Sequence, residues 1–536
     1  MNDIHHCVPA RGILHCVPAD PSTSFIPIYM LQTDADRITT ADAAFSGLQQ
    51  RFTKHFYDIF LNDLAEKTVV IIPSLTLDRE ILKSVKGSVY YEERLLCMLL
   101  LLRMPHTRIV YVTSVPIDSD IIDYYLHMLP GISESHSRER LTLLSCYDAS
   151  AKSLTEKILE RPRLIKRIRE HIRYPEMTHM ACFNVTDHEK NLALALDIPI
   201  FGCDPKLLHL GTKSGSRCLF RKTGVPMPPG FENLLNEKDI ATALAQLKKN
   251  NPGLEKAVVK MNDGFSGEGN AVFYYCDLDR DAADLEKQIS DKLPQYLRIV
   301  AQDVGYRTYM DKFNSMGGIA EEFIDGMQKE SPSVQCRINP LGDTDIVSTH
   351  DQLLGGESEQ VFLGSSFPAN REYTAEISVI ARIVADEMQK EGVLGRFSLD
   401  FISVKRETGW KHYAIELNLR KGGTTHPFIM LQFLTGGVFN WQQGEYIMPD
   451  GQTRCYYASD NVVSEKYRGL TPYDLIDIAV CNHIQYDGAR QSGVMFHMIG
   501  ALSQYGKLGM VCIGRNAEEA RDYYRKTIAV LEMECA

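Results

Sequence analysis

The sequence predicts a mixed α/β and α+β chain: an open, mainly parallel α/β domain, then two α+β blocks, then a small α+β C-terminal module. Three observations predict it. Short apolar runs alternate with longer amphipathic ones over residues 24–205, the pattern of strands and helices in an α/β sheet. A strand–glycine loop–strand unit occupies residues 256–275. Two segments, 395–402 and 413–420, alternate polar and apolar residues strictly, as a strand with one face in a core does.

In the first domain, strands are expected at 68–73, 108–113, 141–146, 178–183 and 198–202, and helices at 92–103, 121–129, 154–171 and 188–196. The 154–171 segment is rich in Lys and Arg, but Glu156, Glu160 and Glu170 interrupt the charge and favour a solvated helix face. Ahead of this domain, residues 1–23 form a tail in which His-Cys-Val-Pro-Ala occurs twice, at His6 and His15. Two His-Cys pairs lack the Cys-x-x-Cys closeness usual for zinc, which favours a duplicated, poorly ordered tail. The remaining boundaries fall at 24–205, 206–320, 321–440 and 441–536. The final block has a helix start at Thr471-Pro472, strands at 493–498 and 507–514, and a closing helix at 517–531.

A chain of 536 residues with 44% hydrophobic and 24% charged residues is globular and long enough for several cores. Its net charge of −11 argues against nucleic acid as a general partner. No apolar run reaches the length of a membrane span, and His5, His6, Pro9, Arg11 and Pro18 interrupt any signal-peptide core. Thirteen scattered cysteines suit reduced thiols, so a cytoplasmic protein is expected. Whether it forms a homo-oligomer stays open.

The chemistry concentrates in the two alternating segments. Phe397, Leu399 and Phe401 share one face, as do Ile415, Leu417 and Leu419. A hairpin centred near Thr408 sets Asp400 opposite Glu416, Ser398 opposite Asn418 and Arg396 opposite Arg420. Like charges across a strand pair destabilise a sheet, so a doubled acid beside a doubled arginine points to absent ligands. Oxygen ligands of this kind suit magnesium; the arginines suit phosphate or carboxylate. Upstream, Lys213 sits in a Gly-Thr-Lys-Ser-Gly run, and Lys260 ends an apolar strand before a loop containing Gly264, Ser266, Gly267 and Gly269. Such a loop can bring backbone amides over phosphates. Alone, Lys260 would equally read as a snorkelling surface lysine.

In order, Lys213 ahead of Gly224-Val225-Pro226, Val258-Val259-Lys260 before the glycine loop, Glu321-Glu322-Phe323-Ile324-Asp325-Gly326, Asp400, and Glu416-Leu417-Asn418 resemble the ATP-grasp carboxylate–amine ligases. More narrowly the chain resembles the pheganomycin-type peptide ligases, through 348–352, 366–369 and 418–427. This implies a pre-ATP-grasp domain, two α+β subdomains clamping ATP, and a family-specific C-terminal domain.

The resemblance implies Lys213 and Lys260 on the α- and β-phosphates and Glu321, Phe323 and Ile324 as the hinge that reads adenine. It puts Gln328 where many relatives use a glutamate for the ribose. Asp400, Glu416 and Asn418 would be ligands of two magnesium ions. Arg396, Arg420 and Gly422 would stabilise the transferring phosphoryl group and the oxyanion. Gly423, Thr424, Thr425 and His426 would lie near substrate, with packing an equal reading for His426. His350-Asp351 could serve as acid and base or form a structural turn. The expected reaction joins an amino-acid or peptide carboxylate to an amine through an acyl phosphate, releasing ADP and phosphate. A small-metabolite or γ-glutamyl-type ligase is the alternative, and a non-catalytic nucleotide-binding module a third reading.

Overall fold

The computed structural model describes residues 34–77, 79–264, 269–276, 278, 284–301, 304–355 and 361–535. The chain divides into two compact units, 1–44 and 45–536. In the first, the described residues are helical; everything below concerns the second.

Its N-terminal sheet runs Leu141–Ser145, Thr107–Thr113, Lys67–Ile72, Thr178–Cys182, all parallel. Both faces are covered: Val69 and Ile71 join one core, Val70 and Ile72 another. Two-sided burial explains why these strands read as continuous apolar runs. Two expectations need correction. Residues 198–202 contribute only one bridge, Ile200 to Met180. The helix expected over 154–171 is two, Leu154–Leu159 and Pro162–Glu170. Pro162 lacks an N–H and disfavours helix at the residue before it, so it opens the second helix.

A five-stranded antiparallel sheet follows, ordered Gly230–Leu234, Gly318–Glu322, Lys256–Met261, Asn270–Tyr274, Leu297–Ile299. Helices Glu237–Asn250 and Leu285–Tyr296 supply its core through Leu244, Leu247, Ile289 and Leu293.

The third sheet has nine strands. From one edge it runs Gly409–Asn418, Gly395–Arg406, Pro332–Ile338, Thr344–Gly355, Val361–Phe367, Cys455–Val463, Lys507–Gly514, Gly493–His497, with the short ninth strand Lys329–Glu330 also paired to Gly395–Arg406. The C-terminal strands therefore extend this sheet, where the sequence suggested a module with its own. Helix Arg371–Lys390 packs beneath its first half through Ile377, Ala381 and Val384.

The hairpin carrying the paired acids contains one decisive irregularity. Near its turn the register is Arg406↔Gly409, and Phe401 still faces Ala414; then Asp400 faces Glu416 and Ser398 faces Asn418. Ile415 is the extra residue of a β-bulge. Without it, Asp400 would face Ile415 and every residue beyond would change faces. The expected pairing of Asp400 with Glu416 and Ser398 with Asn418 is present, but Ile415 leaves the core face and Ala414 takes its place among Leu417 and Leu419. Arg396 does not pair with Arg420: the second strand ends at Asn418, and Arg396 faces Arg337 instead.

Among the described residues, no helix is long and apolar enough to cross a membrane.

Gly395 opens the acid-bearing strand with φ +101°, and a Cβ there would lie 2.8 Å from the Cα of Gly202. Gly395→Ala combines a left-handed backbone with a backbone clash. It should cost about 1–3 kcal/mol, read as a lower urea midpoint at unchanged slope.

Candidate functional site

Two connected cavities occupy the space between the five- and nine-stranded sheets. One, of about 460 Å3, is lined by Val258, Lys260, Glu321 and Phe323 on one side and by Phe401, Ile402 and Ile415 on the other. The second, of about 230 Å3, is lined by Gly264, Gly269, Ser398, Asn418, Arg420 and Gly422. Lys213, Asn270, Gln352, Leu354, Asp400 and Glu416 border both, so the two form one cleft. The bulge turns Ile415 into it.

Each charged group is positioned by local structure. Lys213 is the first residue of helix Lys213–Thr223, whose cap Thr212 accepts from Gly215 N at 3.0 Å. Asn262, just ahead of the glycine loop, accepts from Lys213 N at 3.1 Å and, through its side chain, from Ser214 N at 3.0 Å. The helix start and loop start are thereby tied together. The Lys213 ammonium reaches across to Glu416 Oε1 at 2.5 Å. Lys260 lies beside Glu321, with Nζ to Oε1 at 2.6 Å, and Arg217 Nη1 meets the other oxygen at 2.8 Å.

Asp400 and Glu416 face each other with nothing of opposite charge between them. Ser333 Oγ donates to Asp400 Oδ1 at 2.6 Å, and Asn418 Nδ2 donates to Oδ2 at 3.0 Å. Burial, and then the charge of Glu416, push the Asp400 carboxyl up to about 6. Burial also opposes the charge of Glu416, but Lys213, Arg420 and Lys260 outweigh it and hold this carboxyl below its usual range. One acid is thus ionised beside lysine while its partner is a poor anion, the state expected of a pair made to share a cation. The donors are two carboxylates and one amide oxygen, hard ligands that fit magnesium.

The remaining sequence candidates divide. Gly264 and Gly269 border the cleft; Ser266 and Gly267 lie outside the described residues. Phe323 and Ile324 line the larger cavity. Phe323 lies under two ammonium groups, Lys256 at 5.2 Å and Lys329 at 5.1 Å from the ring centre. Arg420, Gly422, Gly423 and Thr424 line the smaller cavity. Thr425 lies beneath, its Oγ1 accepting from Gly422 N at 2.9 Å and donating to Gln335 at 3.2 Å.

Five candidates stand elsewhere. Gln328 is exposed and absent from the cleft lining; Glu330 lines it instead, two residues on. Burial raises the Glu330 carboxyl. Arg396 is half-buried, its buried Nη1 unpaired, beyond the cleft; burial, and then Arg337, lower it to about 10. His350 is buried against Tyr456, Nε2 to hydroxyl at 2.7 Å. Asp351 accepts from the Tyr373 hydroxyl at 2.5 Å and Asn370 N at 2.9 Å, lining a separate cavity. His426 is buried against Asp460 and His497. Strand alternation turns Asp351 away from the face on which Gln352 reaches the cleft, whereas His350, on the same face as Gln352, is taken up by Tyr456.

Arg94, Phe183, Ser333, Gln352 and Phe362 line the smaller cavity and were not anticipated. Arg94 lies in helical segment Ser88–Arg103 of the N-terminal block. A buried Glu-Glu-Arg run inside an apolar stretch was its only signal.

Known proteins resemble the chain in the same regions. The model of the IQCH-like ATP-grasp family matches residues 205–284 and 282–442, the two sheets that form the cleft. The PGM1 C-terminal domain matches 474–527. Residues 205–442 are thus similar to the ATP-grasp family. The chain is 26% identical to the L-propargylglycine–L-glutamate ligase of Streptantibioticus cattleyicolor over 87% of this chain and 94% of that protein. It is 24% identical to IQ motif-containing protein H of Danio rerio, covering 88% of this chain and 49% of that longer protein. Among solved structures, the fold is shared with the biotin carboxylase–ATP analogue complex of Campylobacter jejuni, with TM-score 0.51, 14% identity, and coverage of 87% and 94% of the two chains. It is shared equally with the biotin carboxylase domain of Hydrogenobacter thermophilus 2-oxoglutarate carboxylase, solved with magnesium ADP and bicarbonate, with TM-score 0.51, 14% identity, and coverage of 86% and 89%. ATP and magnesium are the ligands expected of this family.

Glu321 has both carboxylate oxygens engaged by buried cations. Glu321→Gln should leave Lys260 and Arg217 poorly compensated and cost about 3–5 kcal/mol, measured by urea unfolding without nucleotide. Unchanged stability would mean that the carboxylate serves nucleotide alone.

Proposed function

We propose that the chain is an ATP- and magnesium-dependent ligase joining an amino-acid or peptide carboxylate to an amine. The observation that carries this is the opposed pair Asp400–Glu416 with Asn418, with Arg420 beside it and Lys213 and Lys260 facing it across one cleft. A carboxylate resists amine attack because it is anionic and lacks a good leaving group. Transfer of the γ-phosphoryl group from ATP converts it to an acyl phosphate, with ADP leaving. The amine nitrogen then attacks the acyl carbon, phosphate leaves, and the nitrogen loses a proton. The barrier is largely electrostatic, so positioned charge is the main requirement.

In this reading the larger cavity holds adenosine. Phe323 and Ile324 flank the base, and Glu330 takes the ribose role that the resemblance implied for Gln328. Glu321 fixes Lys260 in place, rather than contacting adenine with its side chain. Lys213 and Lys260 lie along the phosphates, with the amides near Gly264 and Gly269. Asp400, Glu416 and Asn418 hold two magnesium ions, which neutralise phosphate charge. Arg420, Gly422, Gly423 and Thr424 receive the carboxylate undergoing phosphorylation. Arg396 has no direct part. The ligase of Streptantibioticus cattleyicolor, by its name, joins two amino acids, which supports amino acids as donor and acceptor here. The described cysteines are all free, in keeping with a cytoplasmic setting.

The decisive experiment is an ADP-release screen over pairs of amino acids and short peptides, with mass spectrometry of the conjugate. ADP release that requires both a carboxylate and an amine is expected; its absence for every pair would leave only nucleotide binding. Glu416→Ala should abolish ADP production while far-ultraviolet circular dichroism is retained, because it removes a charged ligand and no core volume.

A pH dependence follows from Asp400. Its folded pKa of about 6 lies above the ordinary 3.8. The metal-free folded state therefore keeps this proton longer than the unfolded chain, and Asp400 costs stability as pH rises between these values. Magnesium needs the ionised form. The rise in Tm produced by magnesium with ADP should thus be small near pH 5 and grow through about pH 6 to 7. A pH-independent rise would remove Asp400 from the ligand set.

A further inference from the structure

We propose that His426, Asp460 and His497 form a binding site for one first-row divalent transition metal ion, zinc being the natural occupant, separate from the magnesium positions. The three residues come from different elements. His426 lies in helix Thr425–Thr435, directly after the glycine turn of the cleft; Asp460 lies in strand Cys455–Val463 and His497 ends strand Gly493–His497. All three are buried. His426 Nε2 stands 3.2 Å from Asp460 Oδ1, His497 Nε2 stands 2.9 Å from the same oxygen, and the two nitrogens are 3.0 Å apart.

Protons do not satisfy this triangle. If both Nε2 atoms carry hydrogen, each can donate to Asp460, but two N–H groups then oppose each other across 3.0 Å. If only one carries hydrogen, the other nitrogen sets a lone pair against the carboxylate. Either state leaves one of the three contacts repulsive. A cation above the triangle satisfies all three. Zinc bonds of about 2.0–2.2 Å to nitrogen and oxygen put tetrahedral ligand atoms roughly 3.3 Å apart, close to the distances found. Two imidazoles with one carboxylate select zinc or a neighbouring transition ion over magnesium.

Two further observations point to the same centre. Neither His426 Nδ1 nor His497 Nδ1 has a hydrogen-bond partner, so the polar contacts of both rings converge on the Nε2 side. Gly509 pairs with His497 across the sheet, and a Cβ there would lie 2.1 Å from His497 Nε2; the missing side chain is the space the imidazole occupies. Outside the triangle, Arg94 Nη2 lies 2.8 Å from Asp460 Oδ2. It orients the carboxylate as outer partners of metal ligands do, and it lines the cleft. The ion would therefore fasten the glycine turn and Arg94 to the C-terminal strands.

The test is metal analysis by inductively coupled plasma mass spectrometry on the full chain, purified without a polyhistidine tag. About one zinc per chain is expected after extensive dialysis. His497→Ala and His426→Ala should each reduce it at least tenfold. Gly509→Ala, which keeps every ligand but displaces the His497 ring, should also reduce it. The Cys7→Ser/Cys16→Ser double variant, which alters the other His-Cys pairs, should leave it unchanged. Cobalt(II) added to chelator-treated wild type should give the visible absorption of tetrahedral coordination, a readout that needs no variant to fold. Wild type without transition metal and without a cobalt band would overturn the proposal. So would zinc that persists in His497→Ala, or that disappears with the two cysteines. Magnesium–ADP calorimetry on the same wild type reports separately on the ligase reading.

Discussion

Two carboxylates held face to face on neighbouring strands are the constraint around which the second half of the molecule is arranged. A sheet does not tolerate Asp400 opposite Glu416 without compensation, and what surrounds the pair is compensation from several directions. Ser333 and Asn418 donate to one acid; Lys213 arrives from the helix after the N-terminal block to meet the other. These contacts balance the charges of the cleft and define what can fill it. A ligand that binds there must give Lys213 another anion and give the acids another cation. A magnesium-bound phosphate chain does both at once, so the ion pairs of the empty site are exchanged for equivalent ones. The electrostatic cost of desolvating the nucleotide is thereby offset.

The second lysine is arranged differently. Lys260 and Arg217 share Glu321 on the five-stranded sheet, with Glu321 only 2% exposed. This carboxylate lies too deep to be given up, so Lys260 stays fixed where Lys213 must switch partners. One sheet therefore presents a rigid cation, and the other a cluster whose charge balance depends on what is bound. A nucleotide bound between the two sheets would join these unlike halves.

Much of this was legible in the sequence because alternation and spacing are local. The two-residue period exposed the acid face of the hairpin, and the approach of Lys260 to a glycine loop marked the opposing strand. Turn symmetry even gave the Asp400–Glu416 pairing, although the tighter turn at Glu407-Thr408 supports it only through the bulge at Ile415. Nothing in the identity of Ile415 announces a bulge, and the same period placed it in the core. Arg396 failed for a related reason: alternation fixes a face but not how far along it the cleft extends. For His350, Asp351 and His426 the functional and structural readings stayed equally open, because a polar residue in a motif carries no mark of whether water or Tyr456, Tyr373 or Asp460 will satisfy it. Arg94 came from a segment more than three hundred residues from the hairpin in sequence, a distance that no local pattern spans.

The position of Arg94 bears on where substrate enters. The larger cavity has apolar walls at Val258, Phe323, Phe401, Ile402 and Ile415 among its charged residues, walls suited to a flat heterocycle. The smaller one carries Arg94, Arg420 and the Gly422-Gly423 turn, two guanidinium groups and a backbone free of side chains. Carboxylate chemistry belongs there, because guanidinium pairs with carboxylate in the bidentate geometry that orients it for attack. Arg420 stands two residues from Asn418, where the charges of Glu416 and Asp400 act on it, whereas Arg94 is held from behind by Asp460. On the proposed ligase reading their different tethers would give them different ends of a substrate: Arg420 the carboxyl group next to the phosphoryl donor, Arg94 an anionic group farther out. A substrate with carboxylates at both ends would use both, and one with a single carboxylate would leave Arg94 paired only with Asp460. The N-terminal block would then, through this one side chain, distinguish substrates that the sheets alone treat alike.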